Sequence, residues 1–454
     1  MPANDFQILK QIFNACDPFR PLNTDDPFYV DCQAVRGDSN IEEELGQEIL
    51  FSDEPSYQLY AGHRGAGKST ELLRLKSYLE ANGCFVVYFA ADEEDIDPED
   101  TQYTDILLAC TRHLLEDLKD TANPAPLLKW LTSRWDSLKD LALTEISLEQ
   151  LSIEAQIALF AKITASIRAV PTLRQEIRQR VNPHTITLID ALNQFISEAT
   201  RSLSDRYEKL VIIADNLDRI VPVVQEDSRT NLEHIFIDRS EQLRALKCNI
   251  VYTVPISMVY SNRAADIRSV YGETQILPMI MVKLPDSDGT IHPPGLTAMK
   301  EVIGNRISSI VAAENSGSNI DVTTIFDSAE TLEKLCLMSG GHMRELLLLM
   351  RGAVKRAKHL PIPLRAVQRS ITEARDTYRR TVESDRWKTL AKVSSSKRIS
   401  NEEFHRDLLF SRCIMEYRYL DAGELNCWYD IHPLIQGIAQ FQEALEQEKQ
   451  NNDS

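Results

Sequence analysis

The chain has 454 residues, 43% of them apolar and 26% charged, with a formal net charge of −18. That length predicts two or three domains whose cores need no disulfide or metal staple, and the acidity excludes indiscriminate coating of nucleic acid. No apolar run approaches the roughly 18–20 residues that span a bilayer, residues 1–20 lack a signal-peptide core, and the eight scattered cysteines form no C-x-x-C pair, so the expectation is a cytoplasmic protein without zinc or a disulfide framework.

In chain order, residues 1–52 form a lead-in segment. A short amphipathic helix over 5–16 is broken by Asp17-Pro18 and Asp25-Asp26-Pro27, and a second helix covers 40–49. A strand at 57–61 runs straight into a glycine-rich turn. The helix after it, 69–81, turns Leu72, Leu73, Leu75 and Leu79 to one side. Residues 84–90 are a continuous apolar run, as in a strand buried on both faces of a parallel sheet. Residues 104–206 read as a mostly helical insertion, with amphipathic helices at 106–118 and 186–203. The stretch 146–159 alternates in places and leaves helix and hairpin both open. Strands at 209–214 and 249–254 follow, and a Pro/Gly-rich loop at 284–296 ends the sheet domain, 53–290. The fold class is therefore α/β with a parallel sheet. Helices over 296–314, 325–339 and 343–358 build a helical lid, 296–380. A small α+β module occupies 385–445. The polar stretch 443–454, with 446–454 as a separate tail, is expected to be disordered.

The turn after the first strand is Gly62-His63-Arg64-Gly65-Ala66-Gly67-Lys68-Ser69-Thr70, which meets G-x-x-x-x-G-K-[ST] at every fixed position. Glycines let the backbone close around phosphates with N–H groups inward, and the helix N-terminus adds positive partial charge. Lys68 reaches the β- and γ-phosphates, and the Ser69 hydroxyl is a Mg²⁺ ligand. A ligand-free glycine turn is the bland alternative, but the strand before and helix after favour a P-loop NTPase binding ATP or GTP. The apolar strand Leu210-Val211-Ile212-Ile213-Ala214 ends in Asp215, the expected second holder of Mg²⁺, directly or through water. Next to it stands Asn216, an amide that cannot take a proton from water. Asp218 is the next carboxylate. It either orients water or pairs with Arg219 on the surface. Slow hydrolysis follows, which suits a nucleotide-held switch or a scaffold without useful turnover.

These residues resemble the STAND class of signal-transduction ATPases, the group of NACHT and NB-ARC proteins, and the related origin-recognition branch of AAA+ ATPases. Asp215-Asn216-Leu217-Asp218-Arg219 matches both Asp positions of the NACHT acidic motif, departing at Asn216 and Arg219. Gly340-Gly341-His342-Met343-Arg344-Glu345-Leu346 looks like the sensor-2 helix start of origin-recognition ATPases, which implies that Arg344 reports the γ-phosphate; a surface Arg is the plain alternative. Cys427-Trp428-Tyr429-Asp430-Ile431-His432-Pro433-Leu434 resembles the His-bearing element of the STAND winged helix, which implies that 385–445 is a winged-helix module and that His432 contacts the ADP β-phosphate; a core histidine is equally open. Thr253 is the sensor-1 candidate. Arg239, Arg263 and Arg268 are better read as surface residues than as arginine fingers. The resemblance implies a switch held closed by ADP and opened by ATP with self-association, serving signalling or bacterial defence with a separate effector protein. The origin-recognition likeness implies a DNA-loading ATPase instead. Residues 351–398 carry fourteen Lys and Arg against four Asp and Glu, or +10, while the rest carries −28. That run either grips a nucleic-acid backbone or is a solvated helical face, or one that docks against the acidic body, and the latter readings are preferred here.

Overall fold

The computed structural model describes residues 3–133, 152–286, 289–313 and 322–452, and the chain divides into two units. One, Ile41–Ala61 with Arg74–Ile276, holds the sheet. Its strands are β1 (Tyr57–Gly62), β2 (Cys84–Ala90), β3 (Lys209–Asp215), β4 (Asn249–Pro255) and β5 (Gln275–Leu277), in the order β2-β3-β4-β1-β5. β2, β3 and β4 run parallel, with Ala90 opposite Asp215 and Ala214 opposite Tyr252. β3 and β4 are buried almost end to end, which is why they read as apolar runs with no alternation. β5, three residues long, carries too little pattern to be read from sequence.

The described residues of the insertion are mostly helical. Helices Tyr103–Leu118, Ile153–Ala169, Pro171–Val181 and Thr185–Leu203 follow β2. Ser152 caps the second, its hydroxyl accepting from Ala155 N at 3.3 Å. Residues 153–159 are thus helical and not part of a hairpin; 146–151 lie outside the described residues. The alternation there misleads because Ile157, Leu159, Phe160 and Ile163 bury a helical stripe that also satisfies a period of two over a short window. Two buried arginines tie the insertion to the chain following β2. Arg174 meets Asp97 at 2.6 Å and Asp100 at 2.9 Å, and Arg178 meets Asp100 at 2.8 Å and Asp105 at 2.5 Å. Such buried pairs fix geometry more than they add stability, and removing one partner is costly.

The other unit contains Gly62–Leu73, the chain up to Asn40 and everything from Leu277 onward. Its helices are Ala3–Ala15, Pro293–Ala313, Ala329–Ser339, Met343–Arg356, Leu364–Thr381, Trp387–Ser396 and Glu403–Phe410, joined by an antiparallel hairpin of β6 (Ile414–Asp421) and β7 (Glu424–Ile431). Tyr417 and Trp428, directly opposite in that hairpin, stack at 4.6 Å. Met343–Arg356 packs on Leu364–Thr381, and the N-terminal helix packs on Met343–Arg356 and Pro293–Ala313. One expectation is corrected. The polar C-terminal stretch is a helix, Ala439–Asn452, which packs on Trp387–Ser396. It buries Phe441 and Ala444, a stripe spaced three apart that a polar composition hides. Among the described residues, no helix is long and apolar enough to cross a membrane.

Candidate nucleotide-binding site

β1 leads into the glycine-rich loop, and the Lys68–Ala81 helix begins at the lysine of the G-x-x-x-x-G-K-[ST] pattern. Gly65 and Gly67 have φ of 90° and 119°, a region where L side chains are strained. Those two residues therefore let the chain curl, and Thr70 N–H closes the curl on the Gly67 carbonyl at 3.0 Å. Lys68 is buried and folds back, with Nζ donating to the carbonyls of Gly62 at 2.9 Å and His63 at 3.1 Å. The Thr70 hydroxyl accepts from Leu22 N–H at 3.1 Å.

Four successive loop residues are held by four other segments of the same unit. His63 Nε2 accepts from the Glu416 N–H of β6 at 3.0 Å. The Arg64 carbonyl accepts from His342 Nε2 at 2.9 Å. The Gly65 carbonyl accepts from Arg344 N–H at 3.1 Å. The Ala66 carbonyl accepts from Arg36 Nη2 at 2.8 Å, while Arg36 Nη1 donates to the Pro278 carbonyl at 3.0 Å. A Cβ on Gly65 would come within 2.8 Å of Arg344 Cβ and His342 Cε1, so glycine is required by this approach as well as by φ. Arg344 thus touches the loop through its backbone, while its guanidinium donates to the Pro18 carbonyl at 3.3 Å and lies over the Phe19 ring.

His342 also caps its own helix, Nδ1 accepting from Glu345 N–H at 3.0 Å. His432 is fully buried, 4.5 Å from the Tyr378 ring and 6.5 Å from His342. Its Nδ1 accepts from Leu434 N–H at 3.2 Å, and Nε2 is buried with no hydrogen-bond partner among the described residues. Burial first, then the charge of Lys68, pushes His63 down to about 3. Burial first, then the Arg412 guanidinium, pushes His432 down to about 3 and holds His342 well below the usual histidine range. All three are neutral imidazoles, as their accepting ring nitrogens require.

The acidic set lies in the sheet unit. Asp215, fully buried at the end of β3, accepts from the Tyr88 hydroxyl at 2.8 Å and from Asn216 N–H at 2.6 Å. Asn216 sits at φ 64°, a left-handed position that Asn tolerates. Thr253, buried on β4, accepts through Oγ1 from Leu217 N–H at 2.9 Å; it braces the turn that carries buried Asp218. Arg219 is ion-paired with Asp92 and not with Asp218.

The arginines weighed as fingers have local partners. Arg239 lies over the Tyr103 ring, Arg263 pairs with Asp238 at 2.8 Å and Arg268 with Glu273 at 2.5 Å. In the basic run, Arg356 and Arg369 share Glu373, Arg379 and Arg380 share Asp376, and Lys397 meets Asp430 at 2.7 Å. Sequence reasoning missed Arg36, Tyr88 and His342. A lone Arg in a polar turn and a Tyr inside an apolar strand offer no signal. His342, three residues before an N–H that it caps, was visible as a helix start and nothing more.

A curled loop with positive-φ glycines and a lysine that already binds carbonyl oxygens suits a polyphosphate. Among the described residues no cluster of three His, Cys, Asp or Glu could hold a metal unaided; Mg²⁺ carried by a nucleotide needs only one or two protein oxygens.

No family model and no curated protein matches the chain. Among solved structures, Cdc6p from Pyrobaculum aerophilum is similar with a TM-score of 0.37 and 12% identity, over 92% of this chain and 99% of that one. The ORC1 protein of Aeropyrum pernix, solved in complex with DNA, has a TM-score of 0.35 and 14% identity over 90% and 92%. The ORC2 protein of Aeropyrum pernix, in ADPNP–ADP complexes, has 0.42 and 9% over 96% and 98%. Likenesses of this order concern chain path and carry nothing about ligand or partner.

Proposed function

We propose that the chain is a slow, nucleotide-dependent switch ATPase. The observation that supports this reading is the wiring of the phosphate loop: His63, Arg64, Gly65 and Ala66 are bonded in turn to β6, His342, Arg344 and Arg36. A loop held this way cannot change shape around a ligand without disturbing the helices and hairpin beyond Leu277. Lys68 exchanges the carbonyls of Gly62 and His63 for β- and γ-phosphate oxygens. By their places in the sequence pattern, Ser69 and Asp215 would be the residues to hold Mg²⁺, which would neutralise phosphate charge. Asn216 cannot act as a base, so Asp218 is left to orient water, and turnover is slow. Arg344, anchored by its N–H on Gly65, swings its guanidinium from Pro18 toward the γ-phosphate, and His432 Nε2 is the donor reserved for an ADP phosphate oxygen. The output is a change of shape read by a second copy or a separate effector chain.

A DNA-loading role finds less support. Four of the arginines of 351–398 that would grip phosphates, Arg356, Arg369, Arg379 and Arg380, are already paired with Glu373 and Asp376, and counterion release there would have to break those pairs. Calorimetry on the full chain tests the reading: Mg-ATP and Mg-ADP should bind, and Lys68→Ala should weaken both at least tenfold. No heat at millimolar nucleotide would sink it.

A further inference from the structure

The loop pattern leaves the position of His63 open to any residue, yet here it carries a fully buried imidazole bonded to a strand more than 350 residues away. We propose that His63 is a positioning residue that latches the phosphate loop to the C-terminal hairpin, so that Lys68 and β6 cannot move independently.

Two bonds from one residue make the latch. The ring of His63 accepts the Glu416 N–H at 3.0 Å, and the carbonyl of His63 accepts the Lys68 ammonium at 3.1 Å. In a two-stranded sheet each strand has an open edge, and the imidazole supplies to that edge the acceptor that a third strand would give. Glu416 is itself fixed: its carbonyl accepts from Met279 N–H at 3.1 Å, and its buried carboxylate takes Arg418 Nε at 2.7 Å. The hairpin end of the latch is therefore rigid, and strain is relieved at the loop end. Moving the ammonium onto a phosphate removes the charged partner from the His63 carbonyl, and the residue that then reorients is the one whose ring holds β6. Because the imidazole stays neutral, the latch works across the physiological pH range and is released by ligand, not by protons. The nucleotide part of this inference rests on the switch reading; the latch itself does not.

The experiment uses the full chain, with His63→Ala and His63→Gln. Gln keeps an acceptor near the place of Nε2. Hydrogen exchange at the Glu416 amide, without nucleotide, should quicken about tenfold or more in His63→Ala and stay near the parent rate in His63→Gln, as expected for a buried amide that loses its acceptor. Release of a fluorescent ADP analogue should quicken several-fold in His63→Ala only. Unchanged exchange at Glu416 in His63→Ala overturns the latch. Faster exchange with unchanged ADP release overturns its coupling to Lys68. If the parent chain binds no analogue, the switch reading falls, while the exchange arm still decides whether the latch exists.

Discussion

The hydroxyl of Tyr88 donates a 2.8 Å hydrogen bond to Oδ2 of Asp215 across the parallel strands β2 and β3. The carboxylate is wholly buried, and a buried charge without donors is costly. Tyr88→Phe keeps the ring and removes one donor. A hydrogen bond to a charged group contributes about 1.5–3 kcal/mol, so urea denaturation should show a loss of that size with an unchanged m-value. If Asp215 holds Mg²⁺, the same variant should also alter the Mg²⁺ dependence of nucleotide binding, whereas Asp215→Asn should abolish it.

Thr253, the sensor-1 candidate of the sequence, has its hydroxyl engaged with Leu217 N–H and, at 3.4 Å, with the Ala214 carbonyl. It spans two strands and sets the turn after Asp215. Thr253→Val leaves a buried N–H without its acceptor, at a cost of about 1–3 kcal/mol, while Thr253→Ser retains the oxygen and should cost under ~1 kcal/mol. Equal melting shifts for the two variants would show that the methyl group contributes as much as the hydroxyl and would overturn this account.

The phosphate loop, the strand that ends in Asp215 and the helical insertion were all legible, because each depends on local chemistry: φ-permissive glycines, an apolar run, a 3.6-residue stripe. The contacts that give the loop its setting were not. Arg36, Glu416 and His342 lie 30, 353 and 278 residues from the loop atoms they meet, and nothing in a turn or strand pattern marks such partners. For fully buried His432 core and ligand roles are evenly matched in the sequence, and its stacking on Tyr378 cannot be foreseen from the short motif around it. The C-terminal helix was misread because, among its described residues, Phe441 and Ala444 are the buried ones in a polar segment that packs on the Trp387–Ser396 helix; composition averages over the face that matters.

Backbone geometry explains the residue next to Asp215. Asn216 holds φ 64° and ψ 10°, and for a residue other than Gly, Asn or Asp the left-handed region costs about 1–2 kcal/mol. Asn216→Glu should therefore lower stability by ~1 kcal/mol and bring no gain in ATP hydrolysis, while Asn216→Gly should be tolerated. Asp218→Asn should reduce turnover at least tenfold at saturating ATP if that carboxylate orients water. A faster enzyme on Asn216→Glu would show that the turn can present a base after all.

The three buried imidazoles make stability depend on pH in a defined direction. His63 and His432 are pushed to about 3, and His342 is also lowered, whereas in the unfolded chain each titrates near 6.5. Between those values the unfolded state binds the extra protons, so stability is full above pH ~6.5 and falls as the solution is acidified, by about 1.4 kcal/mol per pH unit for each group. Buried Glu345 acts the other way: desolvation raises its pKa, so the folded state takes a proton as pH falls and part of the loss is offset. His405 is lowered as well, while Asp105 and Asp430 are raised with Glu345, so one histidine must be isolated. His432→Phe keeps a ring against Tyr378 but removes the titrating group and the acceptor for Leu434 N–H. It should cost about 1–3 kcal/mol at pH 7.5 and flatten the decline between pH 6.5 and 5 by about one proton. Urea denaturation of both chains at pH 7.5, 6.5, 5.8 and 5.0 provides the measurement. Parallel curves would mean that His432 is protonated or solvated in the folded chain, and that its burial beside Tyr378 is not maintained in solution.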